Sequence, residues 1–122
     1  MNGDIWHIQF VDPASPKLVD RTRTYRLATT DGDSGYIYLS NTLSGDMLNR
    51  VLIHELGHCA MFSFGLLDDI HRMVHPKHWI EMEEWVCNFI ADYGYLIFSI
   101  AYTVLGDDAW IYIPAELERF IA

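Results

Sequence analysis

Residues His54-Glu55-Leu56-Gly57-His58 place two imidazoles and a carboxylate in a stretch with helical apolar spacing. Four helical steps of about 100° bring His58 back to within roughly 40° of His54, so both rings project from one face and can grip one metal ion. Glu55 stands on the flank of that pair, where a carboxylate can take a proton from a metal-held water without having to ligate the metal. The chemistry available to such a trio is metal-assisted hydrolysis. Random placement of these residue types would produce the pattern in on the order of one or two such chains in a hundred, so its surroundings must carry part of the argument.

A zinc ion that does chemistry is held by three protein ligands and keeps one position open. The third ligand must come from downstream. On a helical wheel Met82, Val86, Phe89, Ile90, Tyr93 and Ile97 share one face, while Glu84, Asn88 and Asp92 follow one another at four-residue spacing on the other. Glu84 is the expected ligand, and Asn88, one turn on, can orient a ligand imidazole. The competitors are Glu83, which lies nearer the apolar face, and the histidines His71, His75 and His78.

The elements that must position these groups are legible in outline. Ile5 to Val11, Thr22 to Thr29 and Tyr36 to Leu39 read as strands, with Asp31-Gly32-Asp33-Ser34-Gly35 as a turn before the last, giving a small antiparallel sheet. Asp31 and Asp33 lack the later ligands of a calcium loop and are read as turn residues. Ser44 is the expected N-cap of the first helix, whose stripe of Leu48, Val51, Leu52, Leu56, Cys59 and Ala60 runs to about Gly65. Asp68 to Lys77 reads as a polar linker, and Pro76 opens a second helix that continues to about Val104. Pro114 marks a short C-terminal helix. The expected fold is therefore α+β, one domain over residues 1–122, with a small antiparallel sheet packed on the motif helix and a second long helix.

Composition narrows the class. The 122 residues carry a net charge of −9 with only eight Lys and Arg, which argues against a phosphate-tracking surface and so against direct nucleic-acid binding. The two cysteines, Cys59 and Cys87, fall in apolar helical patterns and read as buried small hydrophobes. With no secretory pattern at the polar start, a reduced cytoplasmic setting is expected. The apolar run Tyr93 to Leu105 is about 13 residues, short of the roughly 20 that a membrane span needs, and reads as a core helix rather than an anchor.

These residues resemble a minimal gluzincin, the metallopeptidase clan in which a His-Glu-x-x-His helix is followed by a helix with a ligating Glu and an Asp four residues later. Here Glu84-Trp85-Val86-Cys87-Asn88 stands in the second position, 26 residues after His58, with Asn in place of Asp. Within the clan the chain is similar to the short phage and mobile-element peptidases related to the antirepressor proteases. The resemblance implies a zincin-like fold, Zn²⁺ on His54, His58 and Glu84, Glu55 as general base, and a protein or peptide substrate paired along Tyr36 to Leu39. An oxyanion-stabilising group would come from His71, His75, His78, Tyr93 or Tyr95. Met61 and Phe64 stand where a metzincin has Gly and His, which excludes that clan. Two alternatives stay open: a Spartan-type protease whose third ligand is a His of His75-Pro76-Lys77-His78, and a catalytically silent metal-binding regulatory module.

Overall fold

A computed structural model describes residues 1–110. The fold is α+β, with a three-stranded mixed sheet and three α-helices among the described residues. The strands are β1 (His7–Val11), β2 (Ala28–Asp31) and β3 (Tyr36–Ser40), in the order β1-β3-β2. β3 pairs antiparallel with β2 but parallel with β1, so the all-antiparallel expectation is corrected: the chain leaves β1 and makes β2 before returning through the middle. The second strand is also shorter and later than Thr22 to Thr29. Asp20 draws residues 22–26 into a tight loop by accepting from the Thr22 and Thr24 amides and from Arg26, and that removes them from the ladder.

Helix α1 (Gly45–Ser63) begins after Ser44, which has the extended backbone of a cap residue but makes no side-chain cap bond. Its apolar stripe lies on the sheet, where Ile37, Leu39, Ala28, Leu43 and Cys59 form a buried cluster, with Leu48, Val51, Leu52 and Leu56 packed around it. Ile37 and Leu39, both fully buried, contribute about 1.5–3 kcal/mol each. Gly65, at φ +68°, turns the chain in the left-handed region that L side chains avoid. The stretch read as a linker then forms α2 (Leu66–Met73) and a 3-10 turn (Pro76–His78). Polar composition hid an amphipathic helix there: Ile70 is buried and Leu67 is packed beside it while the acids face out.

Helix α3 (Trp79–Leu105) follows directly. Met82, Val86 and Cys87 join Met61 and Ile70 in a second cluster that ties α1, α2 and α3 together. At its centre a Cβ on Gly57 would meet Cys87 Sγ at 3.1 Å, so only glycine lets the two helices come this close without displacement. The chain divides into two compact units, Met1–Asp92 and the residues from Tyr93 on. In the second, the run Tyr93 to Leu105 is helical as expected but is not a buried core helix: Tyr95 is 82 % and Val104 74 % exposed. The helical stretch Pro76–Ala109 is long and apolar enough to cross a membrane, by length and composition alone. The expected helix after Pro114 lies outside the described residues.

Candidate metal centre and cleft

The Gly57–Cys87 contact sets the site. Glu83 and Glu84 precede Cys87 by one helical turn and His58 follows Gly57, so close packing at that point delivers both acids to the histidine pair. His54 Nε2 lies 3.1 Å from His58 Nε2 and 3.0 Å from Glu84 Oε2, while Glu84 Oε1 is 3.3 Å from His58 Nε2. Donor atoms about 2.0–2.2 Å from a tetrahedral zinc are spaced by roughly 3.3 Å; the two imidazole nitrogens stand near that separation, each faces a different oxygen of Glu84, and one ligand atom from each of the three residues lies within 4.8 Å of the others. Among the described residues, His54, His58 and Glu84 are the three whose ligand atoms converge in this way. The donor set of two imidazole nitrogens and one carboxylate suits zinc chemistry, although it does not by itself name the ion.

Glu83 plays a different part from the competitor ligand expected of it. It is buried, and its Oε1 lies 2.7 Å from His58 Nδ1, the ring nitrogen facing away from the cluster. That bond fixes ring orientation and leaves Nε2 toward the centre. It is thus Glu83, in place of the expected Asn88, that makes the hydrogen bond to a histidine of the pair, and Asn88 lines the cleft. His54 Nδ1 is buried with no hydrogen-bond partner, so the two imidazoles are held unequally. Asp92, the last acid of the row, pairs with Arg50 of α1 at 2.7 Å.

Charge follows this geometry. For His58, burial disfavours the charged ring, but hydrogen bonds to Cys87, Glu83 and Glu84 outweigh it and push the pKa up to about 12. Hydrogen bonds from His54 and His58 hold the Glu84 carboxyl well below the usual range against the opposing effect of burial. Burial acts to raise Glu83, yet His58 and Arg21 together bring it down. Cys59 is pushed up to about 11 by burial, which suits the inert apolar thiol expected from its position.

Glu55 is 6 % exposed, and its Oε2 accepts a hydrogen bond from the Thr30 hydroxyl at 2.5 Å. Thr30 thus ties β2 to the motif helix, a contact that nothing in the sequence signals. The linker histidines are engaged elsewhere. His71 stacks on Trp79 with ring centres 3.9 Å apart, His75 accepts from the Lys77 amide as a cap, and His78 lies 3.1 Å from Glu81. None of the five residues named as oxyanion candidates lines the cleft, and Tyr93 and Tyr95 belong to the second unit.

The cluster opens onto a cleft of about 900 Å³ bordered by residues 28–31, the loop around Arg21, and α3 at Asn88. β3 lies in the middle of the sheet and cannot receive a peptide, which corrects the rim strand expected at Tyr36 to Leu39. β2 is the cleft-side edge. The Ser40 amide bonds to the Leu27 carbonyl, and antiparallel alternation then gives Thr29 and Asp31 to β3 and turns the backbone groups of Ala28 and Thr30 outward. Among the described residues no strand pairs with that outer side. Comparisons with protein families, with curated proteins and with solved structures found no match.

Proposed function

We propose that this chain is a zinc-dependent metallopeptidase of minimal gluzincin type. The observation that carries the reading is the convergence of His54 Nε2, His58 Nε2 and the Glu84 carboxylate beside a cleft whose wall is an unpaired strand edge. Among the described residues three side chains converge, which supports an open site over the closed, four-ligand site of a structural module. Zinc, when bound, lowers the pKa of water toward about 7 and polarises a carbonyl. His54, His58 and Glu84 would hold it. Glu55, buried next to His54 with one oxygen held by Thr30, would be the base that takes a proton from water and returns it to the leaving amine. Thr30, on the half-buried part of the β2 edge, offers backbone hydrogen bonds to an extended peptide, aligning it past the centre. The zincin-like arrangement, and a phage or mobile-element setting by resemblance, are parts of the same proposal.

The test is zinc content and peptide cleavage of the purified chain, read by mass spectrometry on a peptide mixture, beside Glu84→Ala and Glu55→Gln. One zinc per chain is expected, lost on Glu84→Ala and retained on Glu55→Gln, with cleavage by the latter reduced about 10²–10⁴-fold. Zinc without cleavage would favour the silent regulatory module, and no zinc under metal-replete conditions would overturn both readings.

A further inference from the structure

Arg21 belongs to no motif, yet it reaches the centre from the loop between the 3-10 turn Pro16–Leu18 and β2. Its Nη1 lies 2.9 Å from Glu83 Oε2 and its Nη2 3.5 Å from Glu84 Oε1. One guanidinium therefore spans the residue that orients His58 and the residue expected to ligate the ion. The loop is built to hold it there. Asp20 accepts from the Thr22 amide at 2.8 Å, the Thr22 hydroxyl at 2.6 Å, the Thr24 amide at 3.1 Å and Arg26 Nε at 2.7 Å. Arg23 sits at φ +62°, and a bridge between Val19 and Tyr25 closes the loop at its base. The loop contributes no side chain to either buried cluster, so its internal order serves the placement of what it carries.

We infer that Arg21 is a positioning residue for the metal centre: its planar fork holds the Glu83 carboxylate on His58, and through it the His58 ring, and sets the Glu84 carboxylate in its ligating orientation. The physical need is specific. Two adjacent carboxylates repel, and a buried one that is to orient an imidazole must not swing to the metal itself. Arg21 engages the Glu83 oxygen that His58 leaves free, which holds Glu83 away from the ligand position. On Glu84 it meets Oε1, the oxygen that also faces His58 Nε2, while Oε2 faces His54, so the guanidinium fixes the turn of that carboxylate between the two rings. A guanidinium that is 46 % exposed adds little to folding through such pairs, so the effect belongs to the metal site rather than to stability. Lysine, a point charge without the fork, cannot hold both carboxylates in one geometry.

The inference rests on the metal-centre reading proposed above, and its test separates the two. Zinc affinity is measured on the full chain by chelator competition, and coordination by the visible absorption of the cobalt-substituted protein, for the parent, Arg21→Met, Arg21→Lys and Glu84→Ala. Arg21→Met is expected to weaken zinc about ten- to hundredfold and to shift the cobalt bands, with the melting temperature of the metal-free protein lowered only slightly because His58 still pairs with Glu83. Arg21→Lys should fall between it and the parent, and reads the same quantity should the Met variant fold poorly. Combining Arg21→Met with Glu83→Gln should cost less than the product of the two separate losses, because both act through His58. Zinc affinity within twofold of the parent and unchanged cobalt bands for both Arg21 variants, with zinc lost on Glu84→Ala, would overturn the role of Arg21 and leave the centre standing. Zinc unaffected by Glu84→Ala would overturn the centre and, with it, this inference.

Discussion

At the scale of single residues, the centre is a set of charges held close together, and that has consequences for pH. The His58 pKa is pushed up to about 12, so at neutral pH zinc must displace a proton from it. Zinc affinity is accordingly expected to rise about tenfold per pH unit between pH 7 and 9, with one proton released per zinc, read by calorimetry in buffers of different ionisation enthalpy. The signs for folding follow from the same groups. A raised His58 stabilises the fold fully below its ordinary 6.5, and this contribution is lost as pH climbs toward about 12. The depressed Glu83 and Glu84 stabilise above their ordinary 4.5 and lose that contribution as pH falls through their lowered values. The metal-free protein should therefore melt at its highest temperature between roughly pH 4.5 and 6.5, and zinc should remove the alkaline decline by replacing the proton.

At the scale of elements, the separation of α1 and α3 is the controlling distance. It is set at Gly57, where an added Cβ would lie 3.1 Å from Cys87 Sγ. Alanine favours a helix over glycine by about 1 kcal/mol, which offsets part of the crowding, so Gly57→Ala is expected to change overall stability by no more than about that amount. The same crowding displaces α3 with Glu83 and Glu84 on it, and ligand geometry tolerates small shifts poorly. Zinc affinity should thus fall several-fold while the melting temperature hardly moves, and a parallel loss in both would place the effect in folding instead. Much at this scale was legible in the chain. The two long helices, the Gly65 break and the burial of Cys59 and Cys87 follow from apolar spacing and from glycine's conformational freedom. The mixed sheet and helix α2 were not, because strand order depends on contacts distant in sequence and a short polar helix has the composition of a linker.

At the scale of the whole molecule, the two compact units differ in what they present. Met1–Asp92 holds both buried clusters and the cleft. From Tyr93 on, α3 exposes Leu96, Ile100 and Val104 at four-residue spacing on one face, each more than half accessible. Exposed apolar surface of this kind binds amphipathic dyes in the native state. The native protein is therefore expected to enhance the fluorescence of anilinonaphthalene sulfonate, and joint replacement of Leu96, Ile100 and Val104 by Gln should abolish most of that signal without altering zinc affinity. A signal that survives the replacement would show that this face is not the dye's site.

Sequence by itself determined which side chains share a helical face. It placed His54 and His58 one turn apart, set Glu55 on their flank, and aligned Glu84 with Asn88 and Asp92, because a fixed rise and rotation per residue convert spacing directly into direction. Tertiary structure alone decided which faces meet. Neighbours on a helix point about 100° apart, so whether Glu83 or Glu84 reaches the centre depends on how α3 is rotated against α1, and the Gly57–Cys87 contact sets that rotation. Likewise Thr30 against Glu55, Arg21 against the acid pair, and β2 as the open edge are meetings of segments far apart in the chain. Local periodicity carries no information about them, because they arise only when the apolar clusters close and fix one packing among many.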